Sequence, residues 1–334
     1  MSNPQTLRVL TIVAENPGSG APAVWARRQA ESLKSVGIES TTHAFAERRS
    51  LGGLWRGAQE LRSKIRECGA DLVHVHYGAS QALVAVLASP KPVVVSFCGS
   101  DLLGNYDARG RNTPSGRLSM LLSQLAALRA AGCIAKSEQL RDLLWWPWCR
   151  KRCEVIPNGV DLNEFKPMPQ SEARALLGWT MDAPVVVFLT RKAGKWVKDP
   201  ELAQKAYEIA RQSVPELVFH VVEGEPADRI PFFLNAADAL LLTSRHEGSN
   251  NAVKEAMSCN LPVVATACGD VPERLRGVAH SHVCSRDPQE LGTRLAQVVA
   301  ARQRSDGREH LRGLEEENIA LKIRQCYEKV LKAR

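Results

Sequence analysis

The chain has no apolar run approaching the ~18 residues of a membrane-spanning helix, which argues against an integral helical membrane protein. Its first residues, MSNPQTLRVLTIVAENP, lack both a basic start and a small-residue cleavage site behind an apolar core. They read as a lead into a first strand and not as a signal peptide. A cytoplasmic protein is the expectation, at most peripheral on the inner face of a membrane. The 9 cysteines include no Cys-x-x-Cys pair. Cys149 and Cys153 lie close together, but no second Cys or His pair follows at zinc spacing. Reduced thiols are expected and structural zinc is not. No fixed-period repeat and no low-complexity segment is present.

What is present is a chain of 334 residues, 44% hydrophobic and of mixed charge, long enough for two ordinary domains with a core each. Net charge is +8, and most of the excess lies before residue 166. That asymmetry suits an anionic partner (phospholipid, a pyrophosphate-linked acceptor or nucleic acid), or simply a solvated basic surface.

Strand and helix signals alternate. In the first half Leu7 to Ala14, Asp71 to His76, Val93 to Phe97, Gly132 to Ala135 and Glu154 to Pro157 read as strands. Ala23 to Val36, Ser80 to Ala88, Leu118 to Ala130 and Glu138 to Leu144 read as helices. Asp161 to Gln170, with Pro167 and Pro169, reads as a linker. A second set follows, with strands at Val185 to Leu189, Leu217 to Val222, Ala239 to Thr243 and Pro262 to Thr266. Its helices are Pro200 to Gln212, Pro231 to Ala236 and Asn251 to Ser258, and Leu314 to Leu331 closes the chain as a helix. This rhythm predicts mostly parallel sheets covered on both faces, with ligands at the carboxyl ends of the strands.

The most informative stretch is Glu247 to Glu273, EGSNNAVKEAMSCNLPVVATACGDVPE. A small polar turn, Gly248-Ser249-Asn250-Asn251, opens a helix, and helix starts offer unsatisfied N–H groups to a phosphate. Glu255 lies one to two turns further on, within reach of sugar or ribose hydroxyls. The stretch resembles the Glu-x7-Glu motif of retaining glycosyltransferases of family 4, which have the GT-B fold. Asn235 to Gly248 resembles the family's lead-in to the first glutamate, Val155-Ile-Pro-Asn-Gly-Val-Asp its interdomain segment, and Val94-Val-Ser-Phe-Cys-Gly-Ser-Asp its N-terminal loop. The wording is most similar to the branch that builds surface polymers of the teichuronic-acid and capsule type.

The resemblance implies an α/β chain of two facing, doubly wound Rossmann-like domains with an interdomain cleft: residues 1–165, and residues 166–313, with a helix at about 314–334 packing back on the first. It implies that Arg191 and Lys198 hold the donor pyrophosphate, with Lys195 a rival for the lysine. Cations suit a leaving group whose charge grows as the glycosidic bond breaks. It implies Glu255 on the ribose, Glu247 near the donor sugar, the N–H groups of Gly248 to Asn251 towards the diphosphate, and a glycine loop at Gly18 and Gly20. Arg229 and Ile230 are candidates for the nucleobase. His76, at a strand end, and Asp101 are candidates for acceptor or sugar contact. Cys98 stands where many members have histidine, and a thiol does not hydrogen-bond as imidazole does.

The implied co-substrate is a UDP- or GDP-sugar, the acceptor a glycan or lipid-linked hydroxyl, and no metal is expected, since no Asp-x-Asp element occurs. Gly18-x-Gly20-x-x-Ala23 also fits a dinucleotide fingerprint, but the acid it wants, Glu39, lies at the wrong end of the second strand. Trp145, Trp146 and Trp148, beside Arg150, Lys151 and Arg152, suit a membrane or sugar platform, or else pack beneath the linker. The rival functions are a sugar-nucleotide 2-epimerase, an inactive nucleotide-binding subunit, and a nucleic-acid binder supported by charge alone.

Overall fold

A computed structural model describes residues 6–14, 24–45, 50–190 and 195–333. It divides into two compact units. One comprises Met1–Asn105, Asn112–Gly159 and Glu316–Arg334; the other comprises Tyr106–Arg111 and Val160–Glu315.

The first unit is a six-stranded parallel sheet of β1 (Leu7–Ala14), β2 (Ile38–Phe45), β3 (Leu72–His76), β4 (Val93–Phe97), β5 (Gly132–Ala135) and β6 (Cys153–Val155), in the order β2-β1-β3-β4-β5-β6. Every residue of β3, β4 and β5 is buried, as expected of central strands covered on both faces. Leu10, Ile12, Val73, Val75, Val95, Phe97 and Cys133 form the middle of its core. The helix Glu316–Lys332 belongs to this unit, where Val330 closes over Gly132. A Cβ on Gly132 would lie 2.7 Å from Val330 Cγ2, so that approach needs glycine.

The second unit is a five-stranded parallel sheet of β7 (Val185–Thr190), β8 (Val218–Glu223), β9 (Ala239–Leu242), β10 (Val263–Thr266) and β11 (His282–Cys284), ordered β11-β10-β9-β7-β8. The order reverses at β7, between β8 and β9, which makes that edge the topological switch point. Val186, Phe188, Leu241, Val264, Leu291 and Leu295 centre its core. Residues 161–170, read above as a linker, are bound into this unit. Arg308 donates to Leu162 O and Phe165 O at 2.8 Å each, and Asn235 bridges Lys166 O and Met168 N–H at 3.0 Å each.

Among the elements that differ from the sequence reading, three long helices carry clear signals. Helix Leu51–Cys68 is absent from the sequence reading, although Ser50 caps its start and Gly69, at φ +58°, ends it. Helix Pro114–Arg129 begins before Leu118, because Thr113 caps it and Pro114 sets its first turn. Helix Pro288–Ala301 was unread, although Asp287 and Pro288 form a start signal of the same kind.

Candidate active site

In the second unit the chain leaves β9 through Thr243-Ser244-Arg245-His246-Glu247. Thr243 Oγ1 donates to Lys198 O (2.8 Å) and Asp199 O (3.0 Å), pinning the turn that follows the short helix Lys195–Lys198. Glu247 Oε1 then accepts from Lys198 Nζ at 2.6 Å and from Ser244 Oγ at 2.9 Å. The ion pair is half-buried, with side chains 25% and 18% exposed, so each charge is partly desolvated and oriented by the other. Beside it, Tyr106 stacks on Trp196 at 4.4 Å, the Arg245 guanidinium lies 4.8 Å over that indole, and His246 completes the cluster. Burial holds the His246 imidazole below its usual range, hence neutral at pH 7, against the opposing pull of Glu247.

The loop after β10 presses on this turn. Gly269 has φ +55°, and a Cβ there would sit 2.8 Å from Glu247 O and 3.0 Å from Gly248 O. Asp270 Oδ2 accepts from Ser249 Oγ at 2.8 Å, and Oδ1 from Asn250 N–H at 3.3 Å. Arg274 completes the shell of that carboxylate at 3.2 Å, and the buried Lys254 Nζ donates to Ser249 Oγ at 3.1 Å. Asn250 Oδ1 caps Val253 N–H at 3.2 Å, which starts the helix Asn251–Ser258. So the Asn250 N–H, read above as facing a phosphate, is held by Asp270, as is the Ser249 hydroxyl. Among the described residues Asn250 Nδ2 is buried without a hydrogen-bond partner. Glu255 lies on the same helix, half-buried.

Arg229 and Ile230 follow the carboxyl end of β8, the strand beside β7. Arg229 is exposed, pairs with Glu225 at 3.1 Å and lies over the Phe233 ring. Gly18, Gly20 and Arg191 lie outside the described residues.

In the first unit β3 ends at His76, and the backbone then turns sharply through Tyr77 (φ 79°) and Ala79 (φ 59°). Non-glycine residues hold such angles only where surroundings enforce them. Asp101 is the enforcer. Its buried carboxylate accepts from Gly78 N–H (2.8 Å), Gly99 N–H (2.8 Å) and Cys98 N–H (3.1 Å), tying the ends of β3 and β4 together. Burial raises its pKa and those N–H groups oppose the rise. Cys98 donates to Ser96 O, and burial pushes its thiol up to about 12, so it is neutral and no nucleophile at pH 7. His76 is buried and held well below the usual histidine range by burial. His74 is a hydrogen-bonded strand histidine, linking Tyr327 Oη (2.5 Å) to Ser96 Oγ (2.7 Å).

Lys136 escaped the sequence reading. It follows β5 as Cys98 follows β4, and the register Phe97↔Ala135 makes the two neighbours at the sheet's end. Its Nζ is buried without a hydrogen-bond partner among the described residues, and burial lowers its pKa. The available signal was a lysine set between a wholly apolar strand and the helix cap Ser137.

A Glycosyltransferase Family 4 model matches residues 11–164, and a Glycosyl transferases group 1 model matches residues 184–301. A D-inositol 3-phosphate glycosyltransferase of Actinosynnema mirum is 26% identical over 271 residues, 69% of this chain and 64% of the relative. TuaC of Bacillus subtilis strain 168, named for teichuronic acid biosynthesis, is 24% identical over 256 residues, 68% of this chain and 61% of the relative. The chain thus spans less than two thirds of either relative's length. Among solved structures, sucrose-phosphate synthase from Thermosynechococcus elongatus superposes with TM-score 0.78 at 18% identity, covering 98% of this chain and 100% of that one. Anabaena HepE in complex with UDP and glucose superposes with TM-score 0.66 at 19% identity, covering 96% and 99%. Two wholly parallel sheets, motifs at their carboxyl ends and a pair of family models covering both halves agree: the chain belongs to family 4 of the glycosyltransferases and has the GT-B fold.

Proposed function

We propose that this protein moves a sugar, with retention, from a nucleoside-diphosphate sugar to a hydroxyl of a lipid-linked surface-glycan precursor. The observation that carries the reading is the Lys198–Glu247 pair, held by Ser244 and Thr243 at the carboxyl end of β9, next to the switch point at β7. A cation there meets the charge that grows on the diphosphate as the glycosidic bond breaks. With Arg191 it takes the role a metal plays in other transferases, so the proposed reaction needs no metal. Glu247 then lies by the donor sugar, and Glu255 takes the ribose hydroxyls.

A relative named for teichuronic acid biosynthesis supports the acceptor class. A neighbour solved with UDP-glucose supports a UDP-sugar as the first donor to try. In the first unit, His76 and Cys98 are assigned to acceptor or sugar contact. Asp101, with its carboxylate occupied by main-chain N–H groups, is assigned to positioning their loop. The Cys98 thiol is held neutral and the Asp101 carboxylate is taken up by main-chain N–H groups, which suits a front-face route in which the leaving phosphate takes the acceptor proton.

The test is calorimetric titration with UDP, GDP and ADP at one salt concentration, then a search for release of the bound nucleotide from its sugars in the presence of glycan acceptors. Selective binding of one nucleotide, with acceptor-dependent release, is the expected result. Conversion of the donor sugar without any acceptor would replace the reading with an epimerase, and binding without turnover would replace it with an inactive subunit.

A further inference from the structure

Helix Pro114–Arg129 turns Ala126 and Ala127 to the core and leaves three leucines on its outer side. Its buried positions are Gly116, Ser119, Ser123, Gln124, Ala126 and Ala127. These small residues let it lie close against helix Ala79–Ala88, where Ser123 Oγ accepts from Ala79 N–H at 2.8 Å. Leu118, Leu121 and Leu125 point outward, 46%, 42% and 37% exposed. Steps of three and four residues set them on one stripe.

The neighbouring segment extends that stripe. Gln124 Nε2 donates to Leu143 O and Gln124 Oε1 accepts from Trp145 N–H, both at 3.0 Å. Arg152 Nη2 donates to Ala127 O at 2.8 Å and Leu128 O at 3.0 Å. These bonds tie the segment that carries Leu143, Trp145 and Trp148 to the helix that carries the leucines, and the two tryptophans are 52% and 56% exposed. Trp146 instead packs on the core, so of the two sequence readings neither holds for all three tryptophans. Arg117, Arg129, Arg150, Lys151 and Arg152 are exposed on the same two elements. The acids at hand, Glu138 and Asp142, both pair with Arg141.

We propose that this surface docks the protein on an anionic bilayer. The leucines and tryptophans would enter the boundary between headgroups and acyl chains, and the cations would stay at the phosphates. A second copy of this chain is disfavoured as occupant, because a two-fold contact would set the same cations against each other. The inference does not depend on the transfer reaction, since it rests on a different surface and is read by binding alone.

The test is cosedimentation of the full chain with vesicles of phosphatidylglycerol mixed with phosphatidylcholine, and with phosphatidylcholine alone. Binding to the anionic vesicles, weakening with salt, is expected, together with a blue shift of tryptophan emission. Leu121→Gln with Leu125→Gln should lower the partition coefficient about tenfold or more, and Trp145→Ser with Trp148→Ser should do the same. Both pairs are exposed, so an unchanged circular dichroism spectrum shows that the fold is intact. Failure of the wild type to sediment, or undiminished binding by both double variants, overturns the proposal. So does a wild-type dimer that Leu121→Gln dissociates.

Discussion

His74 illustrates how a buried side chain couples this fold to pH. Burial holds its imidazole down to about 3, against about 6.5 in the unfolded chain. Between those values the unfolded chain takes up a proton that the folded chain refuses. Stability is therefore complete above about pH 6.5 and falls as pH drops towards 3, by about 1.4 kcal/mol per pH unit for each such histidine. His76, also depressed by burial, adds in the same direction. Urea midpoints measured from neutral to acid pH should fall steeply for the wild type and less steeply for His74→Gln. In the second unit, Glu255→Gln should weaken nucleoside-diphosphate binding, while Glu247→Gln should lower turnover more than binding. Titration together with initial rates distinguishes the two, and wild-type values for both would remove them from the site. Residues of this kind differ in how much a sequence reveals. The glutamates stand in a recognisable motif. His74 and His76 lie two positions apart on one strand, and the bonds of His74 to Ser96, on another strand, and to Tyr327, far along the chain, are not visible locally. Lys136 has only a weak local signal, its place between a wholly apolar strand and the cap Ser137, and its burial follows from the packing of the whole sheet end.

Local start and stop signals bound some elements and were passed over in others, such as Leu51–Cys68 and Pro288–Ala301, while the pressure of one element on another leaves no local signal. Helix Asn251–Ser258 was bounded correctly because an asparagine cap and an amphipathic repeat agree there. The close contact of the Gly269 loop with the Glu247 turn joins segments that are distant in sequence, and no periodicity records it. Gly269→Ala should force φ +55° on an L residue and drive its Cβ into Glu247 O. The expected cost is about 1 kcal/mol or more, with weaker nucleotide binding because the turn holding Glu247 and Ser249 must shift. Thermal unfolding and calorimetric titration of the same variant check both effects, and an unchanged nucleotide affinity would uncouple this loop from the site.

At the scale of the molecule the described residues form two separately cored sheets, a division that the alternation of strand and helix signals also suggests. The membership of residues 161–170 in the second unit was not readable, because Arg308 and Asn235 reach them from far along the chain. Removing Glu316–Arg334 should damage the first unit although the cut adjoins the second in sequence. Hydrogen exchange on the truncated chain should show β3 to β5 losing protection while β7 to β10 keep theirs. If the proposed metal-free chemistry is right, transferase rates should also survive chelator treatment, and a rate restored by added divalent ion would refute it. The pairing of His74 with Tyr327 across 253 positions carries a consequence for biosynthesis. Domains emerging from a ribosome commonly fold in the order they are made. Here the first-made sheet lacks its closing helix until residues 316–332 have been made, so the half synthesised second completes its core first. The earlier half must then wait, with the bed of that helix uncovered, for a segment made after the whole of the second unit.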